Sequence, residues 1–167
     1  MQLYHGTNIR FEIPKIITPN RALDFGAGFY TTSDVEQANS WAKVVVRRAN
    51  SGTPLLNVYE LDENFKNQLK IKHFQSPNKE WLDFVCDHRL NCYKGDDYDL
   101  IIGPVANDNT MPVIQSYIDS AQTNELEKDF FAEFAVRQLR ADRLNDQFVF
   151  KTEKSLQYLK LLKITTV

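Results

Sequence analysis

The stretch Gly26-Ala27-Gly28-Phe29-Tyr30-Thr31-Thr32-Ser33 constrains the fold more than any other part of the chain. Two glycines loosen the backbone just before Phe29-Tyr30-Thr31, a short run of β-formers whose alternation sends Phe29 and Tyr30 to opposite faces of a strand. Ser33, with Glu36 three residues on, has the capping-box pattern. Val35, Ala38, Trp41, Ala42 and Val45 then recur at helical spacing, and Arg47 and Arg48 fall where a helix favours cations, so a helix is predicted over 34–49. A polar-tipped aromatic such as Tyr30, raised after two glycines, is well placed to face a pocket.

The remaining elements follow from the same periodicities. Residues 1–5 predict a first strand, followed by a loop punctuated by Pro14, Pro19 and Asn20. LLNVYELD (55–62) reads as a strand, and FKNQLKIKHF (65–74) as further, partly exposed extended structure whose Lys66, Lys70 and Lys72 form a modest basic strip that attracts nucleic acid or, the simpler reading, keeps an edge strand soluble. Ser76-Pro77 opens a second helix with the stripe Trp81, Phe84, Val85 and His88, ending near Asn91. The block 98–105, closed by Gly103-Pro104, is a buried strand, and Asn107, Asp108 and Asn109 form a polar loop. Helical spacing returns over 111–121 and 125–140, then a strand over 146–150, a short helix from Thr152 and a last strand over 159–167. With no βαβ alternation, the prediction is one α+β domain, 1–167, with a mainly antiparallel sheet.

Composition removes several functional classes. A chain of 167 residues with 43% apolar and 25% charged residues can bury a core and is not disordered. Its formal net charge of −2 disfavours generic coating of nucleic acid. No stretch approaches the roughly 18 apolar residues of a membrane span, and no leader pattern opens the chain, so a cytoplasmic protein is expected. Cys86 and Cys92 are too few for a disulfide framework, and His5, His73 and His88 are scattered, so no metal site is predicted.

Four pieces, in order, carry more specific information: HGT at 5–7, GAGFYT at 26–31, SDVEQANSWA at 33–42 and QFVFKTEKSLQYLKLLK at 147–163. Together they resemble the ADP-ribosyltransferase superfamily, in particular its poly(ADP-ribose) polymerase and diphtheria-toxin branch, and within it bacterial domains of unknown function predicted to be ADP-ribosyltransferases. The resemblance implies a split antiparallel β-sheet core with flanking helices, and NAD consumed as cosubstrate. It sets His5 against the adenosine-side ribose, the Gly6 backbone against the nicotinamide carboxamide and the Thr7 hydroxyl nearby. Tyr30 and, eleven positions on, Trp41 become the aromatic sandwich around nicotinamide, with Ala38 lining the same pocket. Trp41 also lies on the apolar stripe of its helix, where it serves equally as core. Arg21 becomes a partner of the pyrophosphate or a solvated surface residue, and Asn107 and Asp108 line the acceptor side or simply make a turn.

One position departs from the branch. Where it commonly has Glu, this chain has Gln147, which can hydrogen-bond a ribose hydroxyl but brings no charge to the ribosyl cation that forms as nicotinamide leaves. Asp146, its neighbour, belongs to the opposite face of the strand. The implied catalytic set is His5, Tyr30 and Gln147, and the implied function is single ADP-ribose transfer to a protein or nucleic-acid acceptor. Such an enzyme would serve as a bacterial toxin, a delivered effector or a toxin–antitoxin component with a small inhibitory partner protein. The alternatives are a catalytically inactive NAD- or ADP-ribose-binding module and an NAD-dependent RNA 2′-phosphotransferase, whose basic phosphate cluster is not evident here.

Overall fold

The computed structural model describes residues 1–18, 22–106, 110–123, 127–139 and 144–167. Its strands are β1 (Gln2–Thr7), β2 (Phe29–Thr31), β3 (Leu55–Leu61), β4 (Ile71–His73), β5 (Leu100–Pro104), β6 (Asp146–Phe150) and β7 (Leu159–Thr166). Its helices are α1 (Val35–Ala49), α2 (Lys79–Arg89), α3 (Met111–Thr123), α4 (Lys128–Gln138) and the single-turn α5 (Glu153–Leu156). The strands form two sheets, one in the order β1-β3-β7 and one in the order β2-β6-β5-β4. All pairings are antiparallel except β4 with β5. The expected α+β class is therefore what the chain adopts, with one βαβ unit, β4-α2-β5, that the sequence reading excluded.

Alternation along the strands builds the core on both sides of the four-stranded sheet. Phe29, Phe148, Phe150 and Leu100 meet Leu3 and Tyr59 of the three-stranded sheet, filling the space between the two. Val149 and Ile101, on the other face, are covered by Trp81 and Val85 of α2, Ile114 of α3 and Ala132 of α4. Trp81 is fully buried, and its indole N–H donates to the Pro104 carbonyl at 3.1 Å, tying α2 to β5. Helix α1 lies on the outer side of β1 and β3, where Ala38 meets Leu56 and Val58. The two sheets join at one isolated pair, Tyr4 with Thr32, whose N–H groups each donate to the other's carbonyl at 2.8 and 3.0 Å.

Several boundaries move, each for a local reason. β1 runs on to Thr7, so His5-Gly6-Thr7 lies within the strand. Asp34, not Ser33, caps α1, accepting from the N–H groups of Glu36 at 2.8 Å and Gln37 at 3.1 Å, because Ser33 is already held by the Asp146 carboxylate. Asn78 caps α2 by accepting from the Trp81 N–H at 2.8 Å, so that helix starts after Ser76-Pro77. The expected extended run 65–74 is only half extended. Asp62 accepts from the Asn64 N–H at 3.0 Å and opens a 3-10 turn over Glu63–Asn67 that buries Phe65, leaving Ile71–His73 as strand. Among the described residues, no helix is long and apolar enough to cross a membrane, and no group of three or more His, Cys, Asp or Glu side chains could hold a metal ion.

Candidate functional site

Of the sequence-predicted residues, His5 and the Tyr30 backbone meet at the seam where β1 meets β2, with Gly6 next to His5 in β1. In an antiparallel pair, successive residues direct their N–H and C=O groups to opposite edges of the strand. Tyr4 uses both of its groups across the seam to Thr32, so those of Gly6, two residues on, point across the same seam. There the ladder stops, because the Tyr4–Thr32 pair is isolated. The Tyr30 carbonyl instead lies 2.7 Å from His5 Nδ1. A carbonyl only accepts, so Nδ1 carries the proton, and Nε2 of the neutral ring is the acceptor.

His5 is enclosed by aromatic rings, stacked on Phe29 with centroids 4.5 Å apart and edge-on to Phe11 at 5.6 Å. Burial holds its imidazole below the ordinary histidine range, and the weaker opposing influence is the bond to Tyr30. The His88 imidazole is lowered by burial too. An unfolded chain takes up these protons near pH ~6.5 while the folded chain resists, so stability is fully present above that pH and falls as the solution is acidified below it. Urea midpoints at pH 7.5 and 5.5 are expected to show this loss, and His5→Phe to reduce it. An unchanged pH dependence in the variant would contradict the assignment to His5.

Gly6 permits the close approach of α1. A Cβ built on it would sit 2.1 Å from the Ala38 carbonyl oxygen and 2.8 Å from the Ala42 amide nitrogen, both backbone atoms. Ala38, 2% exposed, is thus part of the helix–strand contact, and its side chain packs with Leu56 and Val58. Trp41 is not core. It is 41% exposed, with the Arg48 guanidinium 5.3 Å from its ring centroid, while Ala38 and Ala42 are the buried residues of α1. The Thr7 hydroxyl closes a local turn with the Ile9 backbone at 3.3 Å.

Tyr30 and Gln147 share the face of the four-stranded sheet that packs under α2, α3 and α4. The Tyr30 ring lies half-buried against that core. Its hydroxyl donates to the Gly26 carbonyl at 2.7 Å and accepts from the Phe25 N–H at 3.2 Å. Burial, and then the nearby Asp24 charge, push the phenol pKa far up, so it stays protonated. Gln147 is 4% exposed, and its amide donates to Asp24 Oδ2 at 3.4 Å and to the Pro104 carbonyl at 3.2 Å. Asp24 also accepts from the Ala106 N–H at 3.0 Å and from Arg89 of α2, through Nε at 2.8 Å and through Nη2. Asp146 faces the other way, as strand alternation requires, and accepts from the Ser33 N–H at 2.8 Å and the Thr32 hydroxyl at 3.0 Å.

Asp24 and Arg89 are thus the central charged pair of the site, and sequence reasoning assigned neither a role. The one available signal was an acid directly before a glycine-rich turn. A second group it missed is Asn57, which pairs with His5 across β1 and β3. Its buried amide donates to the Phe11 carbonyl at 3.3 Å and the Tyr59 hydroxyl at 3.2 Å, while its Oδ1 has no hydrogen-bond partner. Arg21, Asn107 and Asp108 lie outside the described residues. A cavity of about 460 Å³, bordered by Phe65, His73, Ile102, Gly103, Asp146 and Phe148, lies on the sheet face opposite Tyr30 and Gln147 and includes neither of them.

In comparison with known proteins, a family profile described as "Protein of unknown function (DUF3990)" matches residues 1–161. No curated protein and no solved structure matches the chain.

Proposed function

We propose, from the premise that this chain belongs to the DUF3990 family of proteins of unknown function, that it is a mono-ADP-ribosyltransferase binding NAD at the β1–β2 seam. The observation that carries the reading is the backbone of Gly6. A carboxamide has one N–H edge and one carbonyl oxygen, and an adjacent C=O and N–H directed into an unpaired seam complement both. Trp41, exposed on the helix that crosses Gly6, supplies an apolar face for a planar pyridinium ring, and cation–π attraction favours that ring while it is charged. Neutral His5 offers Nε2 to a ribose hydroxyl. Gln147 has committed its N–H groups to Asp24 and Pro104, so its remaining function is Oε1, an acceptor for a second hydroxyl.

The reaction breaks the bond between the nicotinamide nitrogen and the ribose anomeric carbon. Nicotinamide leaves with the electron pair, and the ribosyl cation is captured by a nucleophile of a protein or nucleic-acid acceptor, which loses a proton. Toxin, effector and toxin–antitoxin roles, the last with an inhibitory partner protein, are the settings in which such an activity would serve. One observation favours a second reading, a catalytically silent NAD-binding module: the Asp24 carboxylate beside Gln147 is already paired with Arg89, so little negative charge is left for the cation. Incubation with NAD labelled in its adenylate, offered separately with host protein, RNA and DNA, tests both. Label transfer by the wild type that falls at least tenfold in Trp41→Ala, a surface change, supports the transferase. Binding of NAD without nicotinamide release supports the silent module, and no binding at all refutes both.

A further inference from the structure

A second cavity, of about 310 Å³, opens on the far side of the Gly26 turn, lined by Phe84, His88, Tyr93, Tyr98, Asp97 and Lys151 among others. Its walls are aromatic. His88 and Tyr93 stack with centroids 4.2 Å apart, and Phe84 lies 4.4 Å from His88 and 4.8 Å from Tyr93. His88 Nδ1 is fixed by the Phe84 carbonyl at 2.9 Å, which locks the ring in place. The Lys151 ammonium reaches in with the Phe25 carbonyl as its hydrogen-bond partner, and no carboxylate among the described residues stands within ion-pair distance of it. A lysine that lines an aromatic slot without a counter-ion is set up as a nucleophile rather than as a structural cation.

We propose that this cavity is a covalent binding site for small planar aromatic aldehydes, with Lys151 as the attacking amine and the ring held against Tyr93 and His88. The Lys151 nitrogen attacks the carbonyl carbon, a C–N bond forms, and the carbonyl oxygen departs as water to leave an imine. Asp97, in the same cavity, is placed to pass the proton that the departing oxygen takes up. Burial supports the chemistry by pushing the Lys151 amine down to about 8, with the Asp97 charge opposing. Such an amine is roughly a quarter neutral at pH 7.5, against about one part in a thousand for an ordinary lysine. The groups facing Lys151 that titrate or carry charge are His88, Tyr93, Asp96, Asp97 and Tyr98, and the two acids are exposed at the rim. The site does not depend on the reading of the seam. It does touch it, because Phe25, whose carbonyl holds Lys151, also donates its N–H to the Tyr30 hydroxyl.

The test is reductive trapping of the full chain with pyridine-4-carboxaldehyde and cyanoborohydride at pH 7.5, read lysine by lysine by peptide mass spectrometry. Lys151 is expected to be labelled about tenfold faster than exposed Lys43 and Lys160. Tyr93→Ala, which removes a wall but leaves the amine, is expected to lower that advantage at least threefold. Labelling of Lys151 no faster than Lys43 and Lys160 overturns the proposal, and so does an advantage that Tyr93→Ala leaves unchanged.

Discussion

Replacing Asp24 by Ala is expected to lower the melting temperature by on the order of 10 °C. The carboxylate is buried and satisfies three donors at once: the Arg89 guanidinium, the Ala106 N–H and the Gln147 amide. Its removal leaves a largely buried guanidinium with no counter-charge and two more donors with no acceptor. Breaking a buried pair from one side costs about 3–5 kcal/mol, and each kcal/mol moves the midpoint of a domain this size by about 2–4 °C. Removing both charges is less damaging than removing one, because the cost lies in the orphaned partner. Asp24→Leu combined with Arg89→Met is therefore expected to melt above Asp24→Ala in calorimetry. A melting temperature for Asp24→Ala within 2 °C of wild type, on the scale of about 2–4 °C per kcal/mol, would contradict the pair's place in the core.

The second large effect concerns Gln147→Glu. Under the proposed function alone this is an activating change, since it supplies a carboxylate for the ribosyl cation. The surroundings make it a damaging one. Gln147 points its amide nitrogen at two acceptors, Asp24 Oδ2 and the Pro104 carbonyl, and a carboxylate there would face both with no hydrogen to give. The new group either ionises against Asp24 or takes up a proton, and like charges at such a separation raise the pKa of one of them. The expected result is a loss of about 2–4 kcal/mol, within the range for an unpaired buried charge, and no gain in nicotinamide release. Asp24→Asn in the same chain turns the neighbour into a donor and is expected to recover most of the stability, with nicotinamide release rising above wild type once the introduced carboxyl group ionises. Unfolding midpoints and nicotinamide release measured on the two single variants and the pair check this, and a stable, more active single Gln147→Glu would refute the coupling.

The strand-to-helix corner over 26–49 was legible because glycines, β-formers and helical spacing all agree there, and the chain folds it within a residue or two of the expected boundaries. The opposite facing of Phe29 and Tyr30, and of Asp146 and Gln147, was equally legible, since alternation is a property of any strand. What failed was set by distant partners. Ser33 has the right spacing for a cap, but Asp146, far along the chain, claims it. The pairing of Asp24 with Arg89 joins the glycine turn to the end of α2, a contact that no local pattern encodes. β4 is three residues long and follows a 3-10 turn, so its parallel partnership with β5 through α2 left no periodic trace. Trp41 sat on an apparent apolar stripe, yet the Gly6 contact seats α1 on its alanines and turns the indole outward.

The central claim, that NAD docks at the seam with its pyridinium against Trp41, is tested most directly by tryptophan fluorescence. The chain has two tryptophans, and they differ sharply: Trp81, on α2, is fully buried, and Trp41 is exposed on α1. Titration with NAD is expected to quench the Trp41 component saturably, with nicotinamide alone reproducing part of the effect and ADP-ribose much less. In Trp41→Phe, only the Trp81 emission remains, and NAD is expected to leave it unchanged. Saturable quenching that persists undiminished in Trp41→Phe, or its absence in the wild type, would contradict the placement of the ligand.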